Sequence, residues 1–516
     1  MTGIDLERRR LLQRMGTIAA ATAVVPGGWL SATASEAATD SGTTVLSSGP
    51  FDVDLRLRAA PDVVPILPGR PSEVWRYTGE LLKGPADTLA RVNESYPGPM
   101  IRLRRGQRVR ARIDNGLPED TTVHWHGLHV PPDVDGQPRL PIRPGESMDV
   151  AFDVVDRAGL YWYHPHPHGP NGGRVGFQSV AGLAGPLIIE DEAERALGLP
   201  AGEQEMVLVL QDRRFTDDNE LRYIGGGRGS MMGRMRGFRG DRILINGRPD
   251  TQREVATRPY RLRLLNGSNA RIYKLAWSDG RPVTVIGTDG GLLDTPRQLP
   301  FVTLAPAQRV DVWVDFGDGK VSDNVQLVSE AYESGMMGGG MMRGGGMMGS
   351  ARFPLLDFHV ARQAQSDARL PARLTDDLPL PRVGPETPVR RFQLGMRMME
   401  GFTINGRRMA GTTVADDETV RLGRTEIWEF RNDSMMAHPM HVHGLQFGVV
   451  GRDSDRADDL RAGVVDAGLH DTVLVFPGER VRIALTFEDF TGFYMYHCHN
   501  MEHEDNGMMR YYRVDA

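Results

Sequence analysis

An all-β fold of three antiparallel β-sandwich domains is predicted by three features of this 516-residue chain. Short stretches of alternating apolar and polar residues recur along it, bounded by Gly, Pro, Asn and Asp, which is the pattern of half-buried strands joined by turns. Helical periodicity is scarce, residues 192–197 being one short exception. The length exceeds the roughly 250 to 300 residues at which one hydrophobic core stops growing, so several domains are required.

Residues 45–200 form the first predicted domain. Alternation over 108–113 is followed by the turn Asp114-Asn115-Gly116, and 122–128, 148–154 and 159–166 continue the rhythm. The second domain, 203–362, repeats it at 205–211, 260–266, 283–287 and 309–316. A segment rich in Pro, Asp and Ala, 363–387, reads as a linker. The third domain occupies 388–516. Each spans roughly 125 to 160 residues, within the usual domain range.

Ahead of these domains, Glu7-Arg8-Arg9-Arg10-Leu11-Leu12 precedes an alanine-rich apolar run over 18–25, and Ala32-Thr33-Ala34 offers small residues for cleavage. Residues 1–34 therefore read as a twin-arginine export signal, which predicts a periplasmic, extracellular or cell-wall protein exported already folded. A charged fraction of 25% and a net charge of −6 argue against a nucleic-acid partner, and no stretch reads as a membrane span. A monomer is expected.

The second domain carries two low-complexity stretches. Residues 225–240 hold Met231, Met232 and Met235 among four Arg, and 335–349 hold six Met and eight Gly around Arg343. Glycine at that density opposes a packed core, so both read as loops. They are either chemically neutral insertions or exposed thioethers that capture soft Cu(I).

Cys498 is the only cysteine, which excludes an intramolecular disulfide and leaves a packing residue, a reactive thiol or a metal ligand. Its surroundings favour the last. The stretch from His497 to His503, with Met508 beyond, supplies a thiol, several imidazoles and a thioether, the donors of a blue copper centre. In an extended segment His497 and His499 point away from Cys498, toward something else. Three further clusters supply that something: His124-Trp125-His126, His164-Pro165-His166, and His438-Pro439-Met440-His441-Val442-His443. Each contains a His-x-His pair whose members share one face of a strand, and with His497 and His499 the four pairs give eight imidazoles, a number suited to a polynuclear site. Two pairs come from each end of the chain, so the first and third domains must meet face to face, with the second acting mainly as a bridge.

In the order and spacing of these clusters the chain resembles the three-domain multicopper oxidases, especially bacterial laccases and copper-efflux oxidases, over nearly its whole mature length. The resemblance implies cupredoxin-like domains, with the first and third sharing a trinuclear copper site, and four Cu ions in all. It assigns His438, Cys498, His503 and axial Met508 to a type 1 copper, and His124 and His441 to a type 2 copper. Of the two type 3 coppers, one takes His126, His164 and His499, and the other His166, His443 and His497. Substrate electrons would enter singly at type 1 and leave in the four-electron reduction of O2 to two waters. Glu504, directly after a type 1 ligand, and Asp135, eleven residues after His124, match acidic positions the family uses near the trinuclear site; Asp133 ranks below Asp135.

His129, His168, His359 and His470 match no ligand position, and Met509 is expected to pack beside Met508. Met435 and Met436 either line the type 1 pocket or fill core. The expected activity is cuprous oxidation with phenol oxidation as a second activity. The alternatives are a laccase acting mainly on phenols and aromatic amines in an open pocket near His503, or a non-enzymatic copper-binding scaffold.

Overall fold

Six β-sheets, paired face to face, hold nearly all the strands in the computed structural model, which describes residues 49–92, 95–169, 172–224, 233–249, 251–332, 351–397, 401–454 and 459–516. The export segment, Met231, Met232 and the stretch 335–349 lie outside the described residues. Among the described residues no helix is long and apolar enough to cross a membrane.

The sheets repeat one plan. In the first pair, Val53–Val64 forms an antiparallel hairpin with Ser72–Lys83; the chain crosses to the facing sheet and returns as Arg108–Asn115, parallel to Val53–Val64. Glu205–Arg213, Arg242–Ile245 and Pro259–Asn266 repeat this, as do Val389–Arg397, Gly401–Ile404 and Thr425–Asn432. Each facing sheet also holds one parallel pair. The sheets are therefore mixed and not purely antiparallel. A strand that returns after an excursion through the opposite sheet re-enters in its original direction, something alternation alone cannot reveal, because the period of two is the same for both pairings. The one short helix expected near 192–197 is present as Glu192–Ala196, where the Asp191 side chain accepts from the Glu194 N–H.

Each sandwich encloses its own apolar core. A further cluster sits where the three meet: Leu160 and Trp162 pack against Val209, Leu265, Ala307 and Met501. Beside it, Arg261 and Arg263 are buried and paired with Glu194, Glu205 and Asp311. Burial would raise the Glu194 carboxyl, yet the two guanidinium groups hold it down at about 2. Buried arginines with their partners complete fix the register of a seam, since breaking one pair would strand the other charge.

Candidate metal centre

Strand alternation sorts the donors onto two faces. His438–Val442 pairs antiparallel with Gly492–Cys498, placing Met440 opposite Cys498 and His441 opposite His497. Cys498 therefore shares a face with Met440 and His438 and joins the third core, whereas His441 and His497 point out of the sandwich. His124–His126, an edge strand of the first sandwich, pairs with Gly159–His164 and sets His124 opposite His164. The outward histidines of the two sandwiches then interleave: His126 stacks on His441 at 3.8 Å between ring centroids, and His124 on His443 at 3.9 Å.

On the inner face, the Cys498 Sγ lies 3.3 Å from His438 Nδ1 and 3.6 Å from His503 Nδ1. The chain reverses to bring His503 there. Asn500 caps the short helix Met501–Asp505 by accepting from the Glu502 N–H, and Cys498 N–H donates to the Met508 carbonyl. Met508 is fully buried in the same core, whereas Met509 pairs with His497 and packs with Met495 and Tyr511. The outer nitrogens are also held. His503 Nε2 donates to the Met235 carbonyl at 2.9 Å, and His438 Nε2 lies 2.7 Å from the Ser434 hydroxyl, which in turn reaches the Asn432 side-chain carbonyl. With Nε2 carrying the proton, each Nδ1 lone pair is turned toward Cys498. Phe402 covers both rings at 4.1 and 4.9 Å.

The outward cluster contains eight imidazoles, seven of them with no exposed surface and His124 at 1%. Six have one ring nitrogen held by an acceptor. His124 and His441 donate Nδ1–H to the carbonyls of Asp135 and Asp471, and His164 to that of Pro165. His443 Nδ1 donates to Asp135 Oδ2, and His126 Nε2 to Asp471 Oδ1. His497 Nδ1 lies 3.3 Å from both the Cys498 carbonyl and Glu504 Oε2. Ring nitrogens of all eight converge: His124, His126 and His441 form one group, His126, His164 and His499 a second, and His166, His443 and His497 a third. Burial lowers the basicity of His126, His164, His166, His443 and His499, and takes His441 to about 4 and His497 to about 3, so each of these presents a lone pair.

This arrangement fits copper. Inward nitrogens from different rings approach to between 3.1 and 3.4 Å, acceptor against acceptor. That is close to the separation of two nitrogens each about 2 Å from one ion. Neither nitrogen of His499 has a hydrogen-bond partner among the described residues, although the ring is fully buried. Burial pushes the Cys498 thiol up, so it requires a cation to ionise. Imidazole, thiolate and thioether donors suit a soft or borderline metal.

Three buried carboxylates surround the outward cluster. Asp135 bridges His124 and His443, whereas Asp133, two positions away, is exposed and pairs with Arg139. Glu504 sits with its oxygens 3.3 Å from His166 Nε2 and His497 Nδ1. Neither oxygen receives a hydrogen bond among the described residues, and burial pushes its carboxyl up to about 7. Asp471 was not singled out by the sequence. Burial opposes its ionisation, but the Arg309 guanidinium and His126 hold it well below the usual carboxylate range. It sits at the bend between the short strands Leu469–His470 and Thr472–Val475, and its partners are remote, so no local pattern marks it. Ser434, and the contribution of the second sandwich through Arg309 and Met235, were equally invisible.

Of the histidines not expected to be ligands, His129 pairs with Asp156, His359 with Asn324 and His470 with the Ala467 carbonyl. None of the four joins a donor cluster among the described residues. Met435 is 42% exposed, and Met436 packs partly against the third core.

The loop after the first His-x-His pair leaves no room for a side chain at Gly136. Its φ is +77°, and a Cβ there would lie 2.0 Å from the Val123 carbonyl oxygen and 2.6 Å from the His124 nitrogen. Gly136→Ala is expected to cost at least about 2 kcal/mol and to loosen Asp135 from His124. A lowered urea midpoint together with reduced copper content after loading would report it.

Comparison with known proteins agrees with this geometry. Family models described as multicopper oxidase match residues 74–194 and 384–516. A multicopper oxidase of Staphylococcus aureus is 31% identical over 84% of this chain and 86% of its own length. The solved structure of the McoA multicopper oxidase of Aquifex aeolicus is 34% identical, covers 90% of this chain and 97% of its own, and has a TM-score of 0.76. A Campylobacter jejuni multicopper oxidase, named a metallo-oxidase, is 27% identical with a TM-score of 0.74, covering 90% of this chain and 91% of its own.

Proposed function

The chain belongs to the multicopper oxidases, copper-dependent oxidoreductases that use O2, and from that premise we propose that it is a cuprous oxidase with phenol oxidation as a secondary activity. The observation that carries this reading is the cover on His503. Its ring has no exposed surface, and its outer nitrogen is bonded to the carbonyl of Met235, within the first methionine-rich stretch. A laccase would offer a planar aromatic an open edge of this ring; here backbone occupies that edge. Tyr223 O–H and Phe238 N–H both donate to Glu502, on the helix that carries His503. A small ion passed between thioethers can reach such a site where a ring cannot, and thioethers prefer Cu(I). The metallo-oxidase activity in the name of the Campylobacter relative supports the same choice.

Four copper ions are proposed. His438, Cys498 and His503, with the Met508 thioether as a further donor, would hold type 1, and His124 and His441 would hold type 2. His126, His164 and His499 hold one type 3 ion, and His166, His443 and His497 the other. When bound, copper supplies one-electron acceptance at Cys498 and four-electron reduction of O2 to water at the histidine cluster. The chain's part is geometric and protonic. Cys498 is one peptide unit from His497 and from His499, so the two sites share a short covalent path. Glu504 holds a proton beside His166 and His497, and Asp135 fixes His124 and His443 and borders the same space. The domain bounds proposed are 45–200, 203–362 and 388–516, with 363–387 linking the second to the third. Export of the chain by a twin-arginine signal over 1–34, to the periplasm or the cell exterior, is part of the same proposal and suits disposal of Cu(I).

Kinetics of the copper-loaded protein on Cu(I), Fe(II) and a phenolic or aromatic dye test the assignment. Deleting 336–348 is expected to lower Cu(I) turnover by about tenfold while dye turnover stays within about twofold. Equal loss on both, or none, would refute cuprous oxidation as the primary activity.

A further inference from the structure

We infer that Arg309, on the second sandwich, is a positioning residue for the copper centre that the first and third sandwiches build, acting through Asp471 on His126 and His441. This rests on the multicopper oxidase reading, in which those two histidines serve different ions. Arg309 opens the strand Arg309–Asp315 and is fully buried, the most demanding place for a guanidinium. Every arm of it is used. Nε donates to the Leu160 carbonyl, on the strand that ends at His164, and Nη1 and Nη2 donate to the carbonyls of Ala307 and Asp289. The same two nitrogens form a fork on Asp471, at 2.9 Å to Oδ1 and 2.6 Å to Oδ2. One side chain thus ties together all three sandwiches.

Asp471 passes that constraint on in two directions. Its Oδ1 accepts from His126 Nε2 at 2.9 Å and from the Thr472 hydroxyl, while its backbone carbonyl accepts from His441 Nδ1 at 2.8 Å. The carboxylate plane sets the tilt of one imidazole, and the backbone at the same residue sets the other. A bidentate fork fixes such a plane, whereas a single ammonium would leave it free to rotate. Asp289 braces the assembly from the far side: Oδ1 accepts from the Arg309 N–H at 2.7 Å, and Oδ2 lies 3.4 Å from the N–H groups of Asp471 and Thr472.

An independent feature points the same way. Gly127 follows His126, and a Cβ there would lie 2.5 Å from Asp471 Oδ2 and 2.8 Å from Arg309 Nη2. The backbone beside a ligand histidine is therefore pressed directly onto the ion pair, so a shift of that pair is felt at His126. The second sandwich is more than a bridge; it supplies the fixed charge against which the copper-binding rings are aligned.

The test uses the full copper-loaded chain and compares wild type with Arg309→Met and Arg309→Lys. Readouts are copper content, the type 2 electron paramagnetic resonance signal, chelator competition and the blue absorption of the Cys498 site. Arg309→Met is expected to keep the blue absorption, shift or lose the type 2 signal, and weaken type 2 copper by roughly 10- to 100-fold, as for other groups that orient metal ligands. Arg309→Lys should restore part of that affinity. A folded Arg309→Met with unchanged type 2 signal and affinity overturns the inference. If Arg309→Met does not fold, the double variant Arg309→Met with Asp471→Asn, which removes both buried charges, decides. Blue protein with an altered type 2 signal supports positioning; an unaltered signal, or loss of fold again, overturns it and leaves Arg309 a structural role only. Absence of a type 2 signal in wild type would instead refute the ligand assignment on which the inference rests.

Discussion

Replacing Cys498 by serine is expected to abolish the blue colour and lower oxidase turnover by at least about 10³-fold, while most of the copper at the histidine cluster remains. The sulfur is the only thiol in the chain, and it lies between His438 Nδ1 and His503 Nδ1 in a fully buried setting. A serine hydroxyl fits the space but keeps its proton where a thiol in contact with a soft cation would lose it. The loss should be selective, because His497 points away from Cys498 on the same strand, and His124, His441 and His164, on other strands, keep their own hydrogen bonds to the carbonyls of Asp135, Asp471 and Pro165. Visible absorption, paramagnetic resonance and copper analysis would show a protein missing its type 1 signal with type 2 intact. Residual blue absorption, or turnover within tenfold of wild type, would remove Cys498 from the electron path.

Glu504→Gln is expected to reduce kcat by about 10²- to 10⁴-fold, the range of a lost general acid, with blue colour and copper content unchanged. The amide matches the carboxyl in size, so the packing around residue 504, which has no exposed surface, is preserved. What it lacks is a transferable proton at the position 3.3 Å from both His166 Nε2 and His497 Nδ1. Glu504→Asp, which keeps the acid but shortens its reach, should fall between the two. Single-turnover measurements after full reduction would place the defect in the oxygen-reducing half of the cycle. If substrate oxidation slowed instead, or kcat held, Glu504 would be a packing residue.

Much of this centre was legible along the chain because strand geometry is local. With a period of two, Cys498 and its neighbours had to face opposite ways, and the His-x-His pairs had to present both rings on one side. The structure has Cys498 in a core and His497 at the seam with His441 opposite. The sandwich character was equally local. The parallel pairings within each sheet were not, because they depend on which strand the chain returns to and not on any residue pattern.

The surroundings of the donors were decided elsewhere. Asp135 and Asp133 are the same residue type two positions apart, ranked only by the family resemblance, and it is the fold that buries one against His443 and leaves the other on Arg139. Met235 belongs to a stretch that reads as loop, yet its carbonyl closes His503. His126 meets Asp471 across 345 positions of sequence, and Arg309 meets Asp471 across 162. The sequence by itself determined which atoms can bind metal and which face of its strand each one occupies, since residue chemistry and strand alternation act over one or two residues. The tertiary structure alone decided how those atoms are aimed, covered and supplied with protons, since hydrogen bonds and buried charges act through space between segments that no sequence period connects.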